Sequence, residues 1–240
     1  MPSHDPRRIV IFSGSGVSAE SGLPTFRDSG GLWRQYAWEE VASPEGWRKH
    51  PGVVQAFYNE RRHQAAEAQP NAAHRAIAAL EKSFDVVVVT QNVDDLHERA
   101  GSTKVVHVHG ELAFARGEHS GLRQRVGAAP IHMGQRCAQG SQLRPDIVWF
   151  GESVQHLEEA RAYFSEAGRV LVVGTSLSVF PAASLVHAAP AAADKVVVAP
   201  ELDSPPAGFD WMRGKATECV PQVVARWLRE GAGASQGQPE

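Results

Sequence analysis

Two cysteines, Cys137 and Cys219, are all that the 240 residues contain. So few thiols exclude a disulfide framework and suit a reducing cytoplasm. Long apolar runs are missing too. The polar opening MPSHDPRR leads into only Ile9–Phe12 before Ser-Gly-Ser-Gly follows, which is too short for a signal peptide or a membrane span. Neither charge dominates: 24 Lys+Arg stand against 27 Asp+Glu, a formal net charge of -3. With no basic run interleaved with aromatics, nucleic acid and membrane surfaces are not expected partners, and any charged partner must be recognised locally. No internal repeat is visible. The segment 231–240, GAGASQGQPE, lacks aromatic and β-branched residues and reads as a disordered tail.

What is present is ordinary for a soluble globular chain, with 42% hydrophobic and 21% charged residues. Ile9–Phe12, Val86–Thr90, Val170–Val173 and Val196–Ala199 are short, β-branched, unalternating runs bounded by turn residues, as buried parallel strands require. Val105–Val108 is a fifth candidate. Helical patterns such as Pro70–Lys82 and Leu157–Ala167 lie between them. Strands alternating with helices give an α/β fold, a Rossmann-like parallel sheet with helices on both faces. Residues 30–69, rich in Trp, Glu and Arg, and 113–142, Gly- and Arg-rich, break the rhythm. They are expected to build a small inserted module, leaving 1–29, 70–112 and 143–230 as the nucleotide-binding domain.

Four clusters carry chemistry. Gly14-Ser15-Gly16-Val17-Ser18-Ala19 follows the first strand directly and fits G-x-G-x-x-[GA], whose glycines allow a tight turn and close approach to a pyrophosphate. Alone it is a weak signal, which a plain Gly-rich strand-to-helix turn also meets. A dehydrogenase would add an acidic residue about 20 positions on, at a strand end; Glu39 has the count but lies in a helical stretch, which argues against hydride transfer. Thr90-Gln91-Asn92-Val93-Asp94 puts several hydrogen-bonding side chains at the end of a parallel strand, where open α/β sheets bind ligands; helix capping would need only one. His107 and His109 share one side of a strand, and His109 beside Gly110 is a general-base candidate. Gly174-Thr175-Ser176 is a small, hydroxyl-rich turn suited to a phosphate or ribose.

Together these motifs resemble the sirtuin family. Gly14 to Arg27 looks like its cofactor loop, Thr90 to His97 and His109-Gly110 like its catalytic signatures, and Leu143 to Glu152 and Gly174 to Ser176 like its later ones. The likeness runs from about Ile9 to Leu228, nearest to the short bacterial sirtuins. It implies NAD and an acyl-lysine protein or peptide meeting in the cleft between two domains. Gly14, Ser15, Gly16, Ser18, Ala19 and Arg27 would surround the NAD phosphates and the mobile loop, and Phe26 would shield the reacting ribose face. Gln91, Asn92 and Asp94 would hold the ribose and nicotinamide amide; Gly174, Thr175 and Ser176 would take the adenosine half. Val148, Trp149, Phe150 and Gly151 would pair with the substrate peptide as an added strand. His109, working with Asn92 and Asp94, would accept a proton from a ribose hydroxyl, giving free lysine, nicotinamide and an acyl-ADP-ribose. Phe57 to Arg62 resembles the segment that gives some sirtuins a taste for acidic acyl groups. Tyr58 and Arg61, three apart on one helical face, would bind a succinyl-type carboxylate; a solvated Arg pair is the plainer reading.

The chain also departs from the family. Two C-x-x-C pairs usually hold a structural zinc; here they stand as Gly117-Glu-His-Ser120 and Cys137-Ala-Gln-Gly140. Only Cys137 remains of four ligands, so the usual site cannot form, and His119, His132, Cys137 and Glu118 are what is left for a makeshift one. Ser15 replaces a usual Ala, and Pro200 stands where an Asn would meet the adenosine ribose, so weaker NAD binding is expected. The expectation is a cytoplasmic, monomeric NAD-dependent lysine deacylase, a deacetylase with desuccinylase activity. An ADP-ribosyltransferase or NAD hydrolase in the same pocket is the alternative. A non-catalytic NAD or ADP-ribose binder would have lost the base or the ribose holders, and neither is lost.

Overall fold

The computed structural model describes residues 4–25, 32 and 36–234. Six strands form one parallel sheet: β1 (Asp5–Ser13), β2 (Asp85–Thr90), β3 (Val105–His107), β7 (Ala167–Val173), β8 (Asp194–Ala199) and β9 (Asp210–Arg213). Their order is β3-β2-β1-β7-β8-β9, with every neighbouring pair parallel. The five apolar runs are all in it. β9, with Trp211 and Met212 only partly buried, lies at the edge and lacks the continuous apolar signature of the inner strands.

The unalternating runs arise because both faces are covered. Ile9, Ile11, Val86, Val88, Leu171 and Val173 face one core with Ile77 and the C-terminal helix residues Val220, Val223 and Trp227. Val10, Phe12, Val87, Val89, Val170 and Val172 face the other with Phe164, Leu185 and Val186. Each such side chain contributes about 1.5–3 kcal/mol by leaving water, so a polar substitution on either face is costly. Helix Ala72–Ala79 begins at Asn71, whose side chain accepts from the Ala73 and His74 amides in a capping box.

A second, antiparallel sheet joins β4 (Gly110–Gly117), β5 (Arg123–Arg125) and β6 (Leu143–Ile147) in the order β5-β4-β6. Leu143–Ile147, at the start of the 143–230 segment expected in the nucleotide-binding domain, pairs instead in the inserted sheet. The break at Gly30–Gln69 is helical over Trp38–Val41, Pro44–Lys49 and Pro51–Glu67. Trp47, Val54, Phe57 and Tyr58 from these helices share a core with Leu112, Ile147 and Trp149. The last helix, Ala216–Ala234, runs four residues into the stretch read as a tail. There Gly231 packs on Phe84, so closely that an added Cβ would lie 2.6 Å from the ring; packing outweighs the weak helix propensity of Gly-Ala-Gly. Among the described residues no helix is long and apolar enough to cross a membrane.

β1 leads one way through the sheet and β7 the other, so the strand order reverses between them. Open α/β sheets bind ligands at the carboxyl ends of such a pair, and the glycine loops at 14–16 and 174–176 lie there.

Candidate active site

The two loops are fitted to each other through bare backbone. The Gly16 N–H donates to the Gly174 carbonyl at 2.8 Å. A Cβ on Gly16 would meet Gly174 Cα at 2.8 Å, and one on Gly174, at φ +64, would lie 2.1 Å from the Val17 nitrogen. Only glycine permits that approach and that left-handed backbone. Beneath the loops opens a cleft of about 710 Å³ between the two sheets, within the range of cofactor sites, roughly 300–1,000 Å³.

Most of the expected residues meet there. Gly14, Ser15, Gly16, Tyr58, Gln91, Asn92, His109, Val148 to Gly151 and Gly174 to Ser176 all line the cleft. The glycine cradle and the polar lining therefore fit a dinucleotide. Gln91 Nε2 donates to Thr175 Oγ1 at 3.0 Å, tying the β2 end to the β7 end. Asn92 Nδ2 donates to Ser18 Oγ at 3.2 Å, and Ser18 Oγ donates to Asp94 at 3.1 Å. Ser18 and Asp94 thus stand one layer behind the lining and brace it. Burial pushes the Asp94 carboxyl upward, opposed by the Leu96 amide and Ser18 hydrogen bonds and by the charge of His107. Ala19 is exposed and outside the cleft, and Phe26 and Arg27 lie outside the described residues.

His109 follows β3 and lines the cleft. Its Nδ1 lies 3.2 Å from the Gln91 carbonyl oxygen. A carbonyl only accepts, so Nδ1 carries the proton and Nε2 keeps a lone pair. Burial pulls the imidazole below its ordinary value, with the Gln91 carbonyl opposing. The side chain is then a neutral base near pH 7.

The substrate side is built from the small module. The Val148 amide donates to the His109 carbonyl at 2.9 Å and the Phe150 amide to that of Ala42 at 3.0 Å. Val148 and Trp149 follow β6 without regular structure and run into a turn at Phe150 and Gly151, with Gly151 at φ +92. Trp149 is anchored from behind by the Arg144 guanidinium, 3.3 Å from its ring centroid, and Arg144 donates to both oxygens of Glu152 at 2.7 and 3.0 Å. Tyr58 reaches the cleft wall and burial pushes its phenol up. Arg61 does not line the cleft. Its guanidinium lies over the Phe57 ring at 5.2 Å, and its buried Nε has no partner among the described residues. Val93 and Glu152, quoted in the motifs without a role, also line the cleft, as do Val179, Phe180, Pro181 and Glu201, which sequence reasoning passed over. Phe180, 70% exposed and followed by a cis Pro181, is the clearest of them; its place shortly after the Gly174 turn was the available signal.

Where the family holds zinc, Ser120 Oγ and Cys137 Sγ form a 3.4 Å hydrogen bond. Gly117 packs so near that a Cβ would lie 2.9 Å from that sulfur. His119 and His132 are exposed. Among the described residues the only group of metal-competent side chains that converges is Glu98, His107 and Glu111, so the makeshift set around Cys137 does not assemble. Ala115, Ile131, Cys137 and Leu143 instead make a small apolar core.

Comparison with known proteins bears on the family and the fold. The Sir2 family matches residues 14–181. An NAD-dependent protein deacylase of Helicobacter pylori (strain ATCC 700392 / 26695) is 51% identical over 179 residues, 75% of this chain and 78% of that one. Another, of Pasteurella multocida (strain Pm70), is 45% identical over 232 residues, 92% and 98% of the two chains. Among solved structures, a Sir2 homologue in complex with NAD superimposes with a TM-score of 0.82 at 38% identity, covering 94% of this chain and 91% of that one. A Sir2 variant with a deacetylated p53 peptide and 3'-O-acetyl-ADP-ribose gives 0.77 at 30% identity, covering 94% of each.

Proposed function

The chain belongs to the Sir2 family, and from that premise we propose how each residue of its cleft serves NAD-dependent protein deacylation. The protein is an enzyme of this kind, an NAD-dependent protein deacylase acting on acyl-lysine peptides. NAD, when bound, supplies a ribose that releases nicotinamide and accepts the acyl group. Gly14, Ser15 and Gly16 offer backbone close enough to cradle the pyrophosphate. Thr175 and Ser176 hold the adenosine half. Gln91 and Asn92 orient the ribose and the amide, Gln91 tied to Thr175 and Asn92 braced by Asp94 through Ser18. Val148 to Gly151 takes the peptide backbone as an added strand, and the stacked, ion-paired Trp149 gives that segment a fixed wall.

His109 does the proton work. Its Nε2 lone pair receives a ribose hydroxyl proton while the Gln91 carbonyl fixes the tautomer. His109, with Nδ1 on the Gln91 carbonyl and its ring lining the same cleft as the glycine cradle, is the observation that carries the assignment. Tyr58, on the cleft wall, is assigned to acidic acyl chains together with Arg61, which would have to turn off the Phe57 ring to reach the cleft; on that reading desuccinylation accompanies deacetylation. We read the protein as a cytoplasmic monomer with no nucleic-acid partner. The test is incubation with NAD and matched acetyl-lysine and succinyl-lysine peptides, followed by mass. Acyl-ADP-ribose should form with both, and His109→Ala should lower the rate by about 10²–10⁴-fold. NAD consumed without acyl loss from either peptide would move the assignment to a transferase or hydrolase.

A further inference from the structure

His107, the last residue of β3, stands two residues before the base and is buried where His109, in the turn that follows, is only partly so. Its Nδ1 lies 2.9 Å from the Asn92 carbonyl oxygen and its Nε2 2.7 Å from Glu98 Oε1. Both partners accept only, whereas a neutral imidazole has a single N–H. The two bonds together require an imidazolium. The neighbouring carbonyl, that of Gln91, is the one bound by His109. Two histidines thus hold consecutive carbonyls of the Gln91–Asn92 turn, one as a cation and one as a neutral base.

We propose that His107 is a positioning residue for NAD, a buried imidazolium that fixes the Asn92 carbonyl behind the cleft lining. The proposal rests on the cleft assignments above. The groups facing His107 come from several elements: Glu98 and His97 from helix Leu96–Ala100, Asp94 from the turn before it, and Glu111 from β4. Glu111 is paired with Arg123 of β5, Arg99 is engaged with the Ala65 and Ala68 carbonyls, and His74 stacks edge-on to His97 at 4.8 Å. Burial pulls His107 down, but the Glu98 hydrogen bond and charge, then Glu111 and the Asn92 carbonyl, carry it above the ordinary value. As pH rises past that raised value one of the two bonds must be given up, and the turn loosens.

The test uses the whole protein. Imidazole NMR, assigned with His107→Asn, should show both ring nitrogens of His107 protonated at pH 7. Glu98→Gln lets a neutral His107 keep both bonds, since the amide N–H can donate to Nε2. The fall of kcat/KM for NAD at alkaline pH in the unmodified enzyme should therefore flatten in Glu98→Gln. His107→Leu should raise KM for NAD about ten-fold. His107→Asn, whose amide can replace the Nδ1 donor, should restore most of it. A purely structural His107 would lower stability in both variants without moving the pH profile. A singly protonated His107 at pH 7, or a Glu98→Gln profile that overlays the unmodified one, would overturn the proposal. If the unmodified enzyme removes no acyl group, the function assignment fails, while the ring protonation still decides the charge of His107.

Discussion

Arg61 offers a prediction in which stability and specificity move in opposite directions. Its side chain is 14% exposed, its closest carboxylate is Glu60 at 3.9 Å, and its buried Nε has no partner among the described residues. Burial lowers its pKa, opposed only by the charges of Glu60 and Tyr36. A buried donor without a partner costs about 1–3 kcal/mol, and a charge-assisted bond to a carboxylate restores about 1.5–3 kcal/mol. Arg61→Met keeps the aliphatic packing and removes both terms. The free enzyme should then be no less stable, with Tm unchanged or raised by about 2–4 °C for each kcal/mol relieved. The kcat/KM for a succinyl-lysine peptide should fall roughly 10–150-fold, while that for the acetyl peptide should change by less than about three-fold. Scanning calorimetry and paired kinetics on one preparation measure both. Equal losses on the two peptides, or a clear fall in Tm, would refute the reading of Arg61 as an anion receptor held in waiting.

Gly174→Ala should part the two loops, because its Cβ would meet the Val17 nitrogen at 2.1 Å; a raised KM for NAD and a Tm loss well beyond that of Gly22→Ala are expected, since Gly22 has φ +88 but open space and should cost only about 1 kcal/mol. Burial lowers His74 to about 4 and His97 in the same direction. The unfolded chain, protonating near 6.5, therefore binds more protons, so stability falls as pH drops from about 6.5 toward 4, by roughly 3 kcal/mol for His74 alone; urea midpoints at pH 7.5 and 5.5 measure this, and His74→Gln should flatten the difference. EDTA should leave Tm unchanged, because Ser120, Cys137 and their neighbours close on one another; a fall in Tm on chelation would show a metal in that module.

The sheet was legible because its strands are buried on both faces, and such burial writes itself as short runs of Val and Ile. Strand β9 and the Leu143–Ile147 strand were not legible as members of their sheets. The first is half-exposed at an edge, and the second carries Arg144 and Asp146 inward, both buried. A buried Arg in a strand reads as surface until its partners are known; here they are Glu152, the Ile147 carbonyl and the Trp149 ring. The cleft lining was legible at the glycine loops, Gln91, Asn92 and His109, where chemistry and backbone need particular residue types. Sequence could not separate Gln91 and Asn92, which line the cleft, from Asp94, which braces Asn92 through Ser18. That difference is one of depth, and it depends on the short helix Gly16–Ala19 bringing Ser18 between Asn92 and Asp94.

The inserted sheet is held together without the four usual metal ligands. A four-ligand zinc site ties two hairpins together. Here the same spacing holds a Ser–Cys hydrogen bond worth about 1 kcal/mol, which is too little alone. The rest comes from elsewhere: the Ala115, Ile131, Cys137 and Leu143 core, Asn59 clasping the Ile131 backbone in both directions at 2.9 Å, and the Arg116, Arg123 and Arg144 pairs with Asp146 and Glu152. Glu152 also accepts from the Trp149 amide at 2.9 Å. The ion pairs that replace the metal's cross-link thus end on the segment assigned to the peptide. Removing Glu152 should therefore harm peptide KM before it harms NAD KM, a split that a merely destabilised module would not produce.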